Sequence, residues 1–179
     1  VRIIAGRLKG RRLEGPRGSG VRPTSDGLRE TLFNVLGGVV DGARVLDAFA
    51  GTGAVGLEAF SRGATHVTFV ESNRETARLL AENVARCQAN EACMIVRDEF
   101  ARARLGRFDL VWLDPPYDAR DLDGVLTRAA EVVEANGLVV LEHSRRRATP
   151  EVAAQLARTR VIVAGDSALS FFAGHRPER

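Results

Sequence analysis

The chain has 179 residues and a mass of 19.4 kDa, with 45% hydrophobic and 27% charged residues. This is the size of one domain of ordinary globular composition, able to bury roughly 70% of its unfolded surface without disulfide or metal staples. Apolar runs such as Leu138–Leu141 fall far short of the ~20 residues that span a bilayer, and the first seven residues break into charge too early for a secretory signal, so a cytoplasmic protein with no membrane segment is expected.

Residues 2–14 alternate apolar and basic stretches around Gly6 and Gly10 and read as a small basic strand pair or arm. Residues 1–29 hold eight basic side chains (Arg2, Arg7, Lys9, Arg11, Arg12, Arg17, Arg22, Arg29) against Glu14 and Asp26, a charge of +6 in a chain whose total is +3. Such clustering points to a polyanion contact, with a solvated basic tail as the alternative. Gly15–Gly20 reads as a loop, and a helix starts near the capping hydroxyls of Thr24-Ser25. Its apolar stripe is Leu28, Leu32, Val35, Leu36 and Val39, ended or frayed at Gly37-Gly38.

From Ala43 strands alternate with helices. Val45–Phe49 is a buried strand, followed by a glycine turn and a helix through Phe60. His66–Glu71 is a second strand. Ser72 and Glu75 form a capping box for a helix to about Ala89, with Leu80, Ala81 and Val84 inward. Cys93–Arg97 and Phe108–Leu113 are the third and fourth strands, Asp121–Glu134 a helix, and Gly137–Glu142 the fifth strand. A helix near Pro150–Ala157 precedes Val161–Ala164 and Ala168–Ala173, whose short separation demands an antiparallel hairpin. Alternating βα units closed by a hairpin predict an α/β, doubly wound, mostly parallel sheet. Ligands of such sheets bind beyond the carboxyl ends of the strands.

The first strand runs into Asp47-Ala48-Phe49-Ala50-Gly51-Thr52-Gly53-Ala54-Val55-Gly56, a GxGxxG turn between strand and helix. Glycines let backbone approach a ligand closely, but they would equally admit NAD. Asp47 discriminates: a carboxylate there repels a pyrophosphate and attracts a cation, and S-adenosylmethionine carries a sulfonium and an ammonium but no phosphate. Glu71, about twenty residues past the first glycine, sits where an acid accepts from ribose hydroxyls. Asp98, after the third strand, either accepts from an adenine amine or caps a turn over residues 99–103.

The fourth strand ends in Asp114-Pro115-Pro116-Tyr117. An exocyclic base amine is a poor nucleophile because its lone pair is delocalised into the ring. Two acceptors on its two N–H bonds draw that pair back to nitrogen: the Asp114 carboxylate and the Pro115 carbonyl, fixed by the prolines. Tyr117 can stack on a base removed from its helix. Cys87 and Cys93 fit neither a zinc knuckle nor a redox pair, so two reduced thiols and no metal are expected. The three histidines attract no role, Trp112 reads as core, and Arg145-Arg146-Arg147 as a solvated loop or an extension of a nucleic-acid surface.

VLDAFAGTGAVGLEAFSRGA with DPPY resembles the class I S-adenosylmethionine-dependent methyltransferases that modify exocyclic amines. RIIAGRLKGRRL at 2–13 and RPTSDGLRETLFNVL at 22–36 narrow the resemblance to the RsmD family of bacterial 16S ribosomal RNA guanine-N2 methyltransferases. The resemblance implies a Rossmann-like domain over residues 22–179, with a mostly parallel seven-stranded sheet and an antiparallel C-terminal hairpin, preceded by a basic arm over 1–21. It implies that Asp47, Gly51 and Gly53 line the methionine end of S-adenosylmethionine, that Glu71 holds the ribose beside Ser72, and that Asp98 sits at the adenine. Asp114, Pro115 and Tyr117 would hold the target guanine, while Thr24 and Arg29 lie on a helix closing over the cofactor. Arg7, Lys9, Arg11 and Arg12 would meet RNA; Arg22 is either a phosphate contact or a carboxylate partner. The implied partner is 16S ribosomal RNA or a small-subunit assembly particle. A DNA adenine-N6 methyltransferase, an NAD-dependent oxidoreductase and an inactive RNA-binding relative are the competing readings.

Overall fold

The computed structural model describes residues 1–16, 24–116 and 119–174. The chain divides into two units, Val1–Ala103 and Arg104–Arg179.

The first unit runs α1 (Asp26–Leu36), a 3-10 turn (Gly37–Val40), β1 (Arg44–Asp47), α2 (Ala54–Ser61), β2 (His66–Val70), α3 (Arg74–Arg86) and β3 (Cys93–Val96). β1 pairs parallel with β2, Val45 opposite Val67, and β2 pairs parallel with β3, Val67 opposite Cys93. Val45, Leu46, Val67, Phe69 and Val70 are buried. β1 and β2 are buried on both faces, with Thr68 the one polar side chain between Val67 and Phe69, as parallel strands covered on both sides require.

Ser25 starts α1, its hydroxyl accepting from Leu28 N–H at 3.2 Å. Leu28, Leu32 and Leu36 turn inward with Phe33, but Val39 falls in the 3-10 turn and is 51% exposed. The cap of α3 is Asn73 rather than Ser72: its side chain accepts from Thr76 N–H at 3.0 Å, and Ser72 is exposed. Leu80 and Val84 face inward as expected, but Ala81 is exposed, and the buried face is completed by Ala77 and Asn83.

All eight residues of α2 are buried, so the helix needs cover on every side. The N-terminal arm supplies part of it. Its two limbs meet at one antiparallel bridge, Arg2 to Arg12, with Ile3 N–H donating to Arg11 O at 2.9 Å. The buried Glu58 carboxylate accepts from Ile4 N–H at 2.8 Å, Ala5 N–H at 3.0 Å and Arg62 Nε at 2.8 Å. Ser61 Oγ accepts from Leu8 N–H at 2.9 Å and donates to Ala5 O at 2.6 Å. Asn83, fully buried, exchanges bonds with the Glu14 backbone and donates to Thr52 O at 3.0 Å. The basic segment is therefore bolted to α2 and α3 rather than trailing as a solvated tail.

The second unit runs β4 (Phe108–Leu113), α4 (Leu122–Val132), β5 (Val133–Ser144), β6 (Val152–Ala153), β7 (Leu156–Ala164) and β8 (Ser167–Gly174). The strands lie in the order β4-β5-β8-β7-β6. β4 and β5 are parallel, and the pairs β5–β8, β7–β8 and β6–β7 are antiparallel. Trp112 is core, as its place inside the fourth strand requires. The α/β class with a closing antiparallel hairpin is as the sequence predicts. The helix predicted near Pro150–Ala157 does not form. A two-residue turn with Ala154 at φ 51 joins β6 to β7, which brings the described residues to eight strands rather than seven. Glu-Val-Ala-Ala-Gln-Leu-Ala is good helix sequence, but pairing with β8 buries Leu156, and that non-local gain overrides propensity.

Gly6 stands at φ +81, and a β-carbon there would lie 2.0 Å from Ser61 O. Gly6→Ala should therefore cost ~2 kcal/mol or more and loosen the arm, read as a lower urea midpoint and faster proteolysis within residues 1–16.

Candidate active site

Asp47 closes β1 at 1% exposure. Its Oδ2 accepts from Gly56 N–H, in the first turn of α2, at 3.1 Å, while no donor reaches Oδ1. Burial pushes the carboxyl up to about 7; the Gly56 bond opposes the rise and the charge of Glu71 adds to it. Gly51 and Gly53 form the turn that follows, both with positive φ. A β-carbon on Gly51 would meet nothing within 4 Å, so this backbone faces open space. One on Gly53 would meet Leu80 at 2.4 Å and one on Gly56 would meet Phe69 at 2.3 Å. Gly51 is thus the position open to a ligand, and Gly53 and Gly56 are needed for close packing of the turn and α2.

Glu71, just past β2, accepts from Gly51 N–H at 2.9 Å and Asn73 N–H at 2.8 Å. Each carboxylate oxygen keeps a further lone pair. Asp98, after β3, accepts from Glu99 N–H at 2.8 Å and from Arg102 at 3.4 Å, at the start of a single turn in which Ala103 N–H returns to Glu99 O. Beside it the rings of Phe49 and Phe100 meet edge to face, 5.6 Å apart. Thr24 is buried just before α1. Arg29 is fully buried: Nη2 donates to Arg2 O at 2.8 Å and Asp26 at 2.7 Å, whereas Nε and Nη1 have no partner. On the arm, Arg7 lies 3.9 Å over the Phe60 ring and donates to Phe60 O, and Arg11 donates to Arg86 O. Lys9 and Arg12 are exposed.

In the second unit, Asp114 is half-buried and Pro115 buried at the end of β4. They rim a cleft with Pro116, Leu122, Glu142, His143, Ser144 and Arg147. Tyr117 and Arg22 lie outside the described residues. Behind the cleft runs a polar chain: Arg158 Nη1 to Thr149 Oγ1 at 3.0 Å, Thr149 Oγ1 to Ser170 Oγ at 3.0 Å, and Ser170 Oγ to His143 Nε2 at 2.8 Å. Guanidinium can only donate and the Ser144 carbonyl, 2.9 Å from His143 Nδ1, can only accept. Nδ1 therefore carries a proton and donates to Ser144 O, while Thr149 and Ser170 can pass their hydroxyl protons in either direction. Burial lowers its pKa; bonds to Ser144 and the Arg147 backbone oppose that, and the charges of Arg147 and Arg158 reinforce it. The sequence did not single out Glu142, His143 or Arg147 as neighbours of Asp114. Their signal was positional: parallel β4 and β5 end at one edge.

A buried carboxylate with one unsatisfied oxygen, beside backbone open to a ligand, fits the ammonium of S-adenosylmethionine and rejects a phosphate. The strand-end acids on a Rossmann-like α/β fold define an S-adenosylmethionine-dependent methyltransferase. The family described as conserved hypothetical protein 95 matches residues 1–173. Ribosomal RNA small subunit methyltransferase D of Escherichia coli K12 is 36% identical over 96% of this chain and 89% of its own. The protein of that name from Haemophilus influenzae is 35% identical over 84% and 83%. The solved structure of yhhF from Escherichia coli superposes with TM-score 0.86 at 33% identity over 98% of both chains. A hypothetical protein of Thermus thermophilus gives 0.78 at 35% over 96% of this chain and 98% of its own. The chain belongs to this family, the RsmD methyltransferases.

Because the folded pKa of Asp47 lies above its ordinary 3.8, the native state holds a proton that the unfolded chain has released between those values. The stability this proton confers is full below pH ~4 and gone as pH rises through about 7. Asp47→Asn, which mimics the protonated form, should stabilise the protein by on the order of a few kcal/mol at pH 8 and by nothing at pH 4, read from melting temperatures at both values.

Proposed function

We propose that this enzyme transfers a methyl group from S-adenosylmethionine to the exocyclic N2 of a guanine in small-subunit ribosomal RNA, free or within an assembling particle. The observation that carries the reading is the Asp114–Pro115 pair at the rim of the cleft beyond β4; the names of the Escherichia coli and Haemophilus influenzae relatives supply the RNA. In this reading residues 1–21 are an RNA-contacting arm and 22–179 the methyltransferase domain, working in the cytoplasm, where Cys87 and Cys93 stay free thiols.

S-adenosylmethionine supplies the activated methyl group, its sulfur leaving as a neutral thioether. The protein's residues do the rest. Asp47 accepts the ammonium, with Gly51 and Gly53 beside the methionine end. Glu71 accepts from the ribose, and Ser72 and Asp98 border the nucleoside. Thr24 and Arg29 fix α1 over the cofactor. Asp114 and the Pro115 carbonyl each accept one N–H of the guanine amine, which returns the lone pair to nitrogen, and Tyr117 stacks on the base. The amine becomes acidic only as it gains the methyl group, so Asp114 receives a proton late and no strong base is needed. Arg7, Lys9, Arg11, Arg12 and Arg22 face phosphate. Since Arg7 and Arg11 also hold the arm together, exposed Lys9 and Arg12 carry the clean electrostatic contribution.

Asp114→Ala should cut methyl transfer to unmodified small-subunit RNA roughly a hundredfold or more while leaving S-adenosylhomocysteine affinity within about twofold, by single-turnover assay and calorimetry. Activity within a few fold of wild type rejects the assignment. Below pH about 7, ligand binding must expel the Asp47 proton. Affinity for S-adenosylhomocysteine should then fall about tenfold per pH unit, a slope that Asp47→Asn abolishes along with most of the affinity.

A further inference from the structure

The cleft beside Asp114 contains a cation that the chemistry above does not use. We propose that Arg147 grips a backbone phosphate of the RNA whose target base enters the Asp114–Pro115 cleft, making it a substrate-positioning residue; this rests on the RNA methyltransferase reading.

Among the described lining residues, Asp114 and Glu142 are carboxylates, His143 is bonded to Ser144 O and Ser170 Oγ with its pKa lowered by burial, and Arg147 is the one arginine or lysine. An RNA strand is a polyanion, and a cleft lined by two acids repels it unless positive charge stands at the entrance. Arg147 is half-buried, and its guanidinium spends one bond, at 3.3 Å, on Arg120 O. Four of its five donors remain, in a planar fork that matches phosphate oxygens. Arg145 and Arg146, which precede Arg147 in the same turn, are exposed.

The segment that carries Arg147 is held in place. Ser144 O accepts both Arg147 N–H at 2.9 Å and His143 Nδ1–H at 2.9 Å. Arg145 N–H donates to Asp166 O at 2.9 Å and its side chain to Gly165 O at 3.3 Å, which ties the turn to the β7–β8 hairpin. The chain from Arg158 through Thr149 and Ser170 fixes the imidazole that fixes Ser144. A cation on so constrained a turn meets its ligand without ordering a loop first, which is what a positioning contact requires.

The test compares wild type, Arg147→Gln, Arg147→Lys and Arg78→Gln on unmethylated small-subunit RNA and on duplex DNA, at two salt concentrations. Arg78 is an exposed arginine of α3, ion-paired with Glu82 and assigned no role here. Arg147→Gln should raise KM for RNA about tenfold with kcat within about threefold, and make the slope of log affinity against log salt shallower by about 1. Arg147→Lys should restore that slope while recovering only part of KM, because it returns the charge without the fork. S-adenosylhomocysteine affinity should stay within about twofold of wild type throughout. An unmoved KM and slope in Arg147→Gln overturn the proposal, as does an equal loss in Arg78→Gln or an effect confined to duplex DNA. If Arg147→Gln does not fold, Arg147→Lys alone decides, since wild-type KM there denies the fork any role. A wild-type enzyme that methylates no small-subunit RNA rejects the parent reading instead.

Discussion

A carboxylate stripped of water at the end of β1 is the constraint from which the first unit follows. Asp47 is buried because the strand that carries it is buried on both faces, and it receives one N–H bond, from Gly56. That donor lies in the first turn of α2, where unsatisfied N–H groups and the helix dipole favour negative charge. The compensation is incomplete, and the carboxyl responds by holding its proton up to about pH 7. Isolated buried charge is among the most expensive features a small domain can carry. Its retention makes sense when the missing counter-charge arrives with the ligand. In the proposed function the ammonium of the ligand is that counter-charge, and its binding would offset the desolvation of the carboxylate.

The same helix explains the arm. α2 lies close enough to β1 for Gly56 to meet Asp47 and to β2 for Gly56 to pack on Phe69, and its burial leaves no face for water. Something has to cover the far side, and the arm does so through Glu58 and Ser61, the two polar side chains of a helix that is otherwise apolar. Removing one partner from such a buried network leaves the others unsatisfied, so arm and helix stand or fall together. The arm's positive charge thus sits on a fixed surface, and its arginines divide their donors between the fold and the solvent.

Much of this was legible because parallel strands announce themselves. The strands predicted at Val45–Phe49, His66–Glu71, Cys93–Arg97 and Phe108–Leu113 lie within two residues of β1 to β4, whereas β5 begins four residues before the predicted Gly137 and β7 five before Val161. The strand-end acids were legible for the same reason, since topology sends strand ends to the ligand edge. Other features depended on partners distant in sequence. Residues 150–157 carry helix propensity, yet Leu156 is buried against β8, and nothing local encodes that pairing. Ser72 and Asn73 both offer a capping side chain, and only the path of the backbone leaving β2 chooses Asn73. The orphaned Asp47 oxygen and the two unpartnered nitrogens of Arg29 are properties of packing, invisible in a string of letters.

The cleft of the second unit shows how adjacency makes chemistry from separated segments. Asp114 and Arg147 are far apart in sequence, but β4 and β5 run parallel, with Leu113 opposite Leu141, so the residues that follow each strand emerge side by side. Activating an amine calls for acceptors, and acceptors repel the phosphates of the very polymer that bears the amine. A site of this kind must separate the two requirements in space, with negative charge at the reacting nitrogen and positive charge where the backbone passes. The polar chain ending at His143 holds the turn beside the cleft: His143 Nδ1–H and Arg147 N–H both donate to Ser144 O, which fixes the turn that carries the guanidinium. Asp114 and Arg147 thus line one cleft, an acceptor and a fork of donors brought together by the parallel pairing of β4 and β5.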